Sequence, residues 1–456
     1  MSTTTTAPEP VVQPTPEAVK KTRSWLAAIY PAVWRWHFWM GLLITPVLVI
    51  VSLAGALFVF EYELAPVVEP GMHQVEVPAS GEMLPVSQRV AAAQTAAPEG
   101  WHFTDISRYV GADRADEIVF SGEEDAHGHH EHHSVFVNPY TGEVLGQRGS
   151  TDGFFATVLK LHRTLLGGTF GRYLVEIATC WGIVSMLTGL LLWWPRGKGK
   201  NKAAGVWKPR LDKGLKTTLR DLHAIPGVYL ALFIVTIMGT GLLYTQIWGN
   251  AFFAGLYFGK QLPAAYVSPP KSSELADGAT PATVDEIMAE ARTHYAFEQF
   301  YLAAPHEPGD CWTIFSNSQD GSLQEGAVYL DASTGATLDV IHFSTLQPGA
   351  KAALLFYSIH TGRIFGMPTK IIALLSCLVI VGMSLTGVWM WWRRRPAGKF
   401  GAPRKTRNEE VPKAIVAVII LLGIMMPTVG LTLLALCAFN VAKWGVGKLS
   451  GGPKAA

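Results

Sequence analysis

The sequence is short of charge: 16% of its 456 residues are Asp, Glu, Lys or Arg, against 49% that are hydrophobic. A soluble chain of this length would disperse its apolar residues. Here they gather into blocks long enough to cross a hydrocarbon core of about 30 Å. Cysteine is scarce too. Cys180, Cys377 and Cys437 fall inside apolar blocks and Cys311 stands alone, which excludes a disulfide framework and a Cys-x-x-Cys-His attachment site. No dinucleotide fingerprint is present: Gly239-Thr240-Gly241 follows no strand and lies among apolar residues, as a helix-packing motif does. The net charge of +2 is close to neutral, so nothing argues for nucleic acid. Met1 to Pro16 is rich in Thr, Ala and Pro and has no apolar core. We expect a disordered tail over 1–30 and no cleaved signal peptide, the first apolar block serving as its own insertion signal.

The blocks predict five spanning helices, at 34–62, 173–194, 222–248, 369–392 and 412–441. The last contains Pro427 and reads as a kinked span or a tight re-entrant hairpin. Lysine and arginine set the orientation. Lys20, Lys21, Arg23 and Arg35 precede the first span, nine Lys and Arg fill the 195–221 connection, and Arg393, Arg394 and Arg395 follow the fourth. These segments are expected on the cytoplasmic side, with 63–160 and 250–358 outside, in the periplasm of a bacterium. The expected location is the bacterial inner (plasma) membrane, multi-pass, with a cytoplasmic N-terminus.

Sliding the chain along itself brings two halves into register. At an offset of 198, His162 meets His360, Gly168 meets Gly366, Arg172 meets Lys370, Leu187-Thr188-Gly189 meets Leu385-Thr386-Gly387, and Trp193-Trp194 meets Trp391-Trp392. At an offset of 186, His37 meets His223, Gly41 meets Gly227 and Gly55 meets Gly241. The outer segments repeat as well: Val135 to Glu143 resembles Ala327 to Ala336, each a strand and a turn closed by Thr-Gly. Short helix patterns precede them at Pro85–Ala97 and Thr283–His294. The unit is span, small α+β domain, span, occurring twice in parallel orientation.

Four histidines stand at the membrane ends of helices: His37 and His223 at the cytoplasmic side, His162 and His360 at the periplasmic side. Metal-binding residues at that depth mark function. Haem iron in an electron-transfer site takes two axial ligands on opposite faces, and neutral imidazole supplies both without net charge. Two equal-depth pairs would hold two b-type haems, one above the other. Arg163, Arg172 and Arg363 are candidate partners of the outer haem's propionates, and Gly41 and Gly227 would let a flat macrocycle approach the backbone. The competing reading is that all four are ordinary interfacial histidines.

His127, His129, His130, His132 and His133 form a run in an outer loop, open to two readings: a Zn, Cu or Ni site or a solvated insertion. Trp193, Trp194, Trp389, Trp391 and Trp392 read as interfacial anchors. Glu61 and Glu63 are expected just outside the lipid, and Glu176 facing the bundle beside an arginine.

The repeated span, Thr-Gly hairpin, His and Leu-Thr-Gly-x-x-x-Trp-Trp pattern over residues 30–395 resembles the PepSY-associated transmembrane helix family, iron-regulated inner-membrane proteins that include ferric-siderophore reductases. The fifth span and the His run are not part of that pattern. The resemblance implies an α-helical membrane bundle with two small α+β periplasmic, PepSY-like domains, internally duplicated. It also implies a haem-containing electron-transfer enzyme that reduces siderophore-bound Fe(III) to Fe(II). By this resemblance His37 and His223 hold one haem b and His162 and His360 the other. Expected partners are a ferric siderophore, a cytoplasmic or quinol electron donor and membrane lipid. The alternative is a non-enzymatic PepSY-domain anchor or regulator binding a periplasmic peptide or protease. A metal permease is disfavoured, because ionisable residues collect at span ends.

Overall fold

The computed structural model describes residues 25–124, 130–194, 205–295, 297–316, 326–403 and 413–449. Residues 1–24 of the expected tail, 195–204 of the basic connection, and His127 and His129 lie outside them. Among the described residues five helices are long and apolar enough to cross a membrane: Ile29–Phe58, Gly168–Trp193, Leu215–Tyr244, Met367–Arg394 and Pro427–Trp444.

In chain order the first half runs α1 (Trp25–Phe58), α2 (Glu61–Val68), α3 (Val86–Gln94), β1 (His102–Arg108), β2 (Asp116–Glu124), β3 (His130–Val137), β4 (Val144–Gly149), α4 (Phe154–Thr164) and α5 (Gly168–Trp193). The second runs α6 (Leu215–Gly241), α7 (Ile247–Phe258), α8 (Ala264–Val267), α9 (Val284–Ala291), β5 (Phe300–Ala303), β6 (Trp312–Ser316), β7 (Gly326–Leu330), β8 (Thr337–His342), α10 (Pro348–His360) and α11 (Met367–Arg394). Two further helices follow, α12 (Lys413–Met425) and α13 (Pro427–Leu449).

The four long helices α1, α5, α6 and α11 form a ring in which α1 and α6 each pack on both α5 and α11. The ring therefore sets α1 opposite α6. The short helices ahead of the second and fourth spans lean back on the ring, α4 on α1 and α10 on α6. At the C-terminal end, a side chain on Gly430 would come 2.6 Å from the Gly423 carbonyl oxygen. Two residues seven apart touch only if the chain reverses, so α12 and α13 form a hairpin turning at Met426. Its turn accepts a hydrogen bond from Trp248 Nε1 at the Met425 carbonyl (2.9 Å), and Thr432 accepts one from Trp181 Nε1 (3.1 Å).

Beyond one end of the ring lies a single antiparallel sheet in the order β4-β3-β2-β1-β5-β6-β7-β8. Its strands carry the alternation that one covered face requires: β1 buries every second residue. One row crosses six strands, Val135–Ile118–Ile106–Leu302–Ile314–Val328, each paired with the next. All six side chains are fully buried. Helices α3 and α9 cover this row within one apolar core, and Asp285 of α9 accepts hydrogen bonds from Ser87 of α3, one of them from the backbone at 3.1 Å. Thr283 and Glu286 cap α9 reciprocally. The expected turns form alike in both halves. The N–H groups of Gly142 and Gly335, each at positive φ, donate to the carbonyls of Asn138 and Asp331 at 2.9 Å.

The two outer α+β units expected from the sequence share one sheet, joined where β1 pairs with β5. β1 and β5 would be exposed edges, whose unpaired N–H and C=O groups seek a strand; they find each other, and one apolar core draws on both units. Leu302 sits on that seam. Replacing it with alanine should cost about 2–5 kcal/mol and lower the thermal transition of both halves together, read by proteolysis of each. If only the second half melted earlier, the sheet would not be one unit.

Candidate cofactor site between paired histidines

The ring brings the four sequence-predicted histidines together as two pairs. His37 of α1 faces His223 of α6, ring centroids 6.2 Å apart. His162 of α4 faces His360 of α10 at 6.1 Å. On α1 the two levels are marked by His37 and by Val51, which His162 contacts. The fourteen residues between them correspond to about 21 Å along the helix. The His162–His360 pair is the one nearer the sheet.

Each imidazole is fixed in the same way. His162 Nδ1 lies 2.9 Å from the Val51 carbonyl, His360 Nδ1 2.9 Å from that of Ile237, and His223 Nδ1 2.8 Å from that of Met383. His37 Nδ1 meets Thr188 Oγ1 at 3.1 Å and makes a backbone hydrogen bond to Ser185. A carbonyl only accepts, so Nδ1 carries the proton. That choice leaves Nε2 with its lone pair free. Among the described residues no hydrogen bond engages Nε2 on any of the four.

Four residues beyond each accepting carbonyl stands a glycine: Gly55, Gly189, Gly241 and Gly387. The Cε1–Nδ1 edge of the ring lies against it. A Cβ there would come 3.0 Å from His162, 3.2 Å from His37, 2.6 Å from His360 and 3.3 Å from His223. Residue i+4 overhangs the carbonyl of residue i on a helix, so only glycine leaves the imidazole room to reach it. Sequence reasoning aligned these glycines across the halves without seeing this role. The signal was there, since they recur at the same two offsets as the histidines.

The separation of the rings rules out a direct bond between them and leaves room for a metal. A direct N–H···N bond of about 2.9 Å would put collinear imidazole centroids roughly 5.1 Å apart. A metal bound by both nitrogens at about 2.0 Å would put them roughly 6.2 Å apart. At 6.2 and 6.1 Å both pairs are too far apart for the first and have the room that the second needs. Around His37 and His223 lies a cavity of about 280 Å³, lined mainly by apolar residues of all four ring helices. Gly41 and Gly227 both line it; a Cβ on Gly41 would meet nothing within 4 Å, whereas one on Gly227 would run into the Met383 sulfur. Arg220 and Arg394, read from the sequence only as topology markers, also line it beside Trp34 and Trp391.

Of the arginines expected near the other pair, Arg172 donates to the Tyr244 carbonyl at 3.1 Å and lies 3.4 Å from Gln246 Oε1, while its Nε is buried without a partner. Arg163 is close enough to Arg172 to feel its charge. Arg363 lies over the rings of Tyr62 and Tyr357. Two neighbouring cations and an orphaned N–H suit an anionic group, so the donor set fits haem with its propionates. Among the described residues Glu176 pairs with no arginine. Its carboxylate accepts the Ile247 and Trp248 N–H groups at 2.8 and 3.0 Å, capping α7. In the outer run, His130 donates to the Gly122 carbonyl and His133 meets Gln147. No three His, Cys, Asp or Glu among the described residues converge as a metal site.

A helical bundle with apolar spans, crowned by one antiparallel sheet and carrying two facing histidine pairs, defines a multi-pass membrane protein. Residues 34–394 match the model of the PepSY-associated TM region, and the chain belongs to that family. Comparison with curated proteins returned no match.

Proposed function

We propose that this protein is a haem-containing electron-transfer enzyme of the bacterial inner membrane, its N-terminus cytoplasmic, reducing ferric chelates such as siderophore-bound Fe(III) in the periplasm. Its two halves are then duplicated copies, each a pair of spans carrying a PepSY-like module. The observation that carries the reading is the free Nε2 on four imidazoles, in two pairs spaced as a shared metal requires. His37 with His223, and His162 with His360, would each hold one haem b.

A bound haem supplies one-electron exchange without proton transfer. The chain does the rest. Hydrogen bonds from Nδ1 to backbone carbonyls fix each ring's tautomer and angle and raise its basicity as a ligand. Apolar side chains keep water from the centre. Arg220 and Arg394 at one level, and Arg163, Arg172 and Arg363 at the other, would neutralise propionates. Chelating oxygens hold hard Fe(III) far more tightly than Fe(II), so one electron loosens the complex. The donor would be a cytoplasmic flavoprotein or membrane quinol.

The test is an absorption spectrum of detergent-purified protein, oxidised and dithionite-reduced, with a pyridine haemochrome assay. About two haems per chain, low-spin in both states, is the expected outcome. A colourless protein that takes up no added haemin would leave only an anchor for the outer sheet.

A further inference from the structure

The two halves differ beneath the sheet. On the face of the sheet turned toward the bundle, the second half is filled by an apolar cluster that includes Tyr329, Ile341, Leu346 and Ala350. Under the first half the same space is a polar cavity of about 460 Å³, between α2, the sheet, α4 and the start of α11. At the 186 offset Glu61, Glu63 and Glu69 correspond to Ile247, Gly249 and Gly255. Arg148 pairs with Ser134 where Ile341 pairs with Ala327. The second half builds the same elements without these charges, so folding does not require them.

Most of the cavity's ionisable groups are satisfied by one another. Lys370 of α11 pairs with Glu63 at 2.6 Å, and His73 and Arg148 both bind Glu69. Tyr109 donates to Glu117 of β2, and Arg114 donates to the Tyr62 carbonyl at 2.7 Å. The α4 lining, Phe155, Ala156 and Leu159, is apolar. Glu61 is left: among the described residues it makes no hydrogen bond or ion pair. It neighbours Tyr62, whose ring carries Arg363 at 4.5 Å, three residues beyond His360.

Resting on the reductase reading, we propose that this cavity receives the ferric chelate and that Glu61 is the proton donor for its disassembly. When a hydroxamate or catecholate Fe(III)–O bond breaks, iron takes one electron from the reduced protein and becomes Fe(II). The freed oxygen takes the Glu61 proton, and the carboxylate left behind is reprotonated by water. Burial pushes the Glu61 carboxyl up to about 7; Arg363 and Arg148 oppose the shift and Glu117 adds to it. The acid form therefore prevails below about that pH and is lost above it, and chelate reduction should slow as pH rises through the neutral range.

The experiment mixes pre-reduced, dithionite-free full-length protein with ferric trihydroxamate or with hexacyanoferrate(III), whose reduction consumes no proton. The readout is the ratio of the two rates. In Glu61→Gln that ratio should fall roughly tenfold or more and lose its pH dependence near neutrality, while Glu61→Asp should restore the pH limb. Binding of the redox-inert Ga(III) trihydroxamate, by calorimetry, should weaken in Ala156→Trp, which fills the cavity. An unchanged ratio and pH profile in Glu61→Gln, or undiminished Ga(III) chelate binding in Ala156→Trp, overturns the proposal. Wild-type protein that cannot reduce hexacyanoferrate(III) overturns the reductase reading instead.

Discussion

Replacing His360 with alanine should remove the low-spin signal of one haem and leave the other untouched, and His162→Ala should remove the same one. His37→Ala and His223→Ala should share a second, different spectral loss. The reason is geometric. Rings 6.1 or 6.2 Å apart leave room for one metal between each pair, so in the proposed arrangement deleting either imidazole would break the same low-spin centre. Doubling the loss within a pair should then add little: His162→Ala with His360→Ala should resemble either single change, whereas His162→Ala with His223→Ala should abolish the low-spin spectrum altogether. Interfacial histidines with no common ligand would give four independent and mild effects. The measurement is the reduced-minus-oxidised difference spectrum together with haem content. A pattern pairing His37 with His162 would mean that each half binds its own cofactor and would sink the assignment.

How much of this was written in the residues follows from the range of the interactions involved. Spans are legible because burial in lipid is a property of a continuous stretch, but their ends are less so: α1 starts nine residues before the expected block, and α6, Leu215–Gly241, is displaced toward the N-terminus from the expected 222–248. The four histidines were legible because the repeat singles them out. The strand-turn-strand units were legible from alternation and from Thr-Gly turns. What could not be read was how separate stretches meet. Nothing in His102 to Arg108 or Phe300 to Ala303 says that these two strands will pair, so two domains were expected where one sheet forms. Glu176 looked like half of an ion pair, because the backbone N–H groups that donate to it belong to a helix 71 residues away. Arg220 and Arg394 look identical in sequence to any other flanking basic residues, and only the closed ring places them at the mouth of a cavity. The glycines are the intermediate case: their register was visible, but their purpose needed the imidazole on the neighbouring helix.

That purpose supports the second large effect. Gly241→Ala should cost roughly 10- to 100-fold in haem affinity at the level nearer the sheet, the usual consequence of disturbing a group that orients a metal ligand. An added Cβ would sit 2.6 Å from His360 Cε1 and 3.1 Å from its Nδ1. The ring cannot give way cheaply, since it is held at one end by its own helix and at the other by the partner across the pair. It must leave the Ile237 carbonyl, and Nε2 then turns away from His162. Gly239→Ala, two residues earlier on the same helix, places its methyl where nothing lies within 4 Å and should leave both haems intact. The control is strict because alanine favours helix by about 1 kcal/mol over glycine at either position, so a loss confined to Gly241→Ala cannot come from weakening α6. The effect should be graded as well: Gly387→Ala, with 3.3 Å to His223, should disturb the other haem less. Equal behaviour of Gly239→Ala and Gly241→Ala in haem content and spectrum would show that the histidine rings do not depend on these seats, and with that the free Nε2 geometry would lose its structural basis.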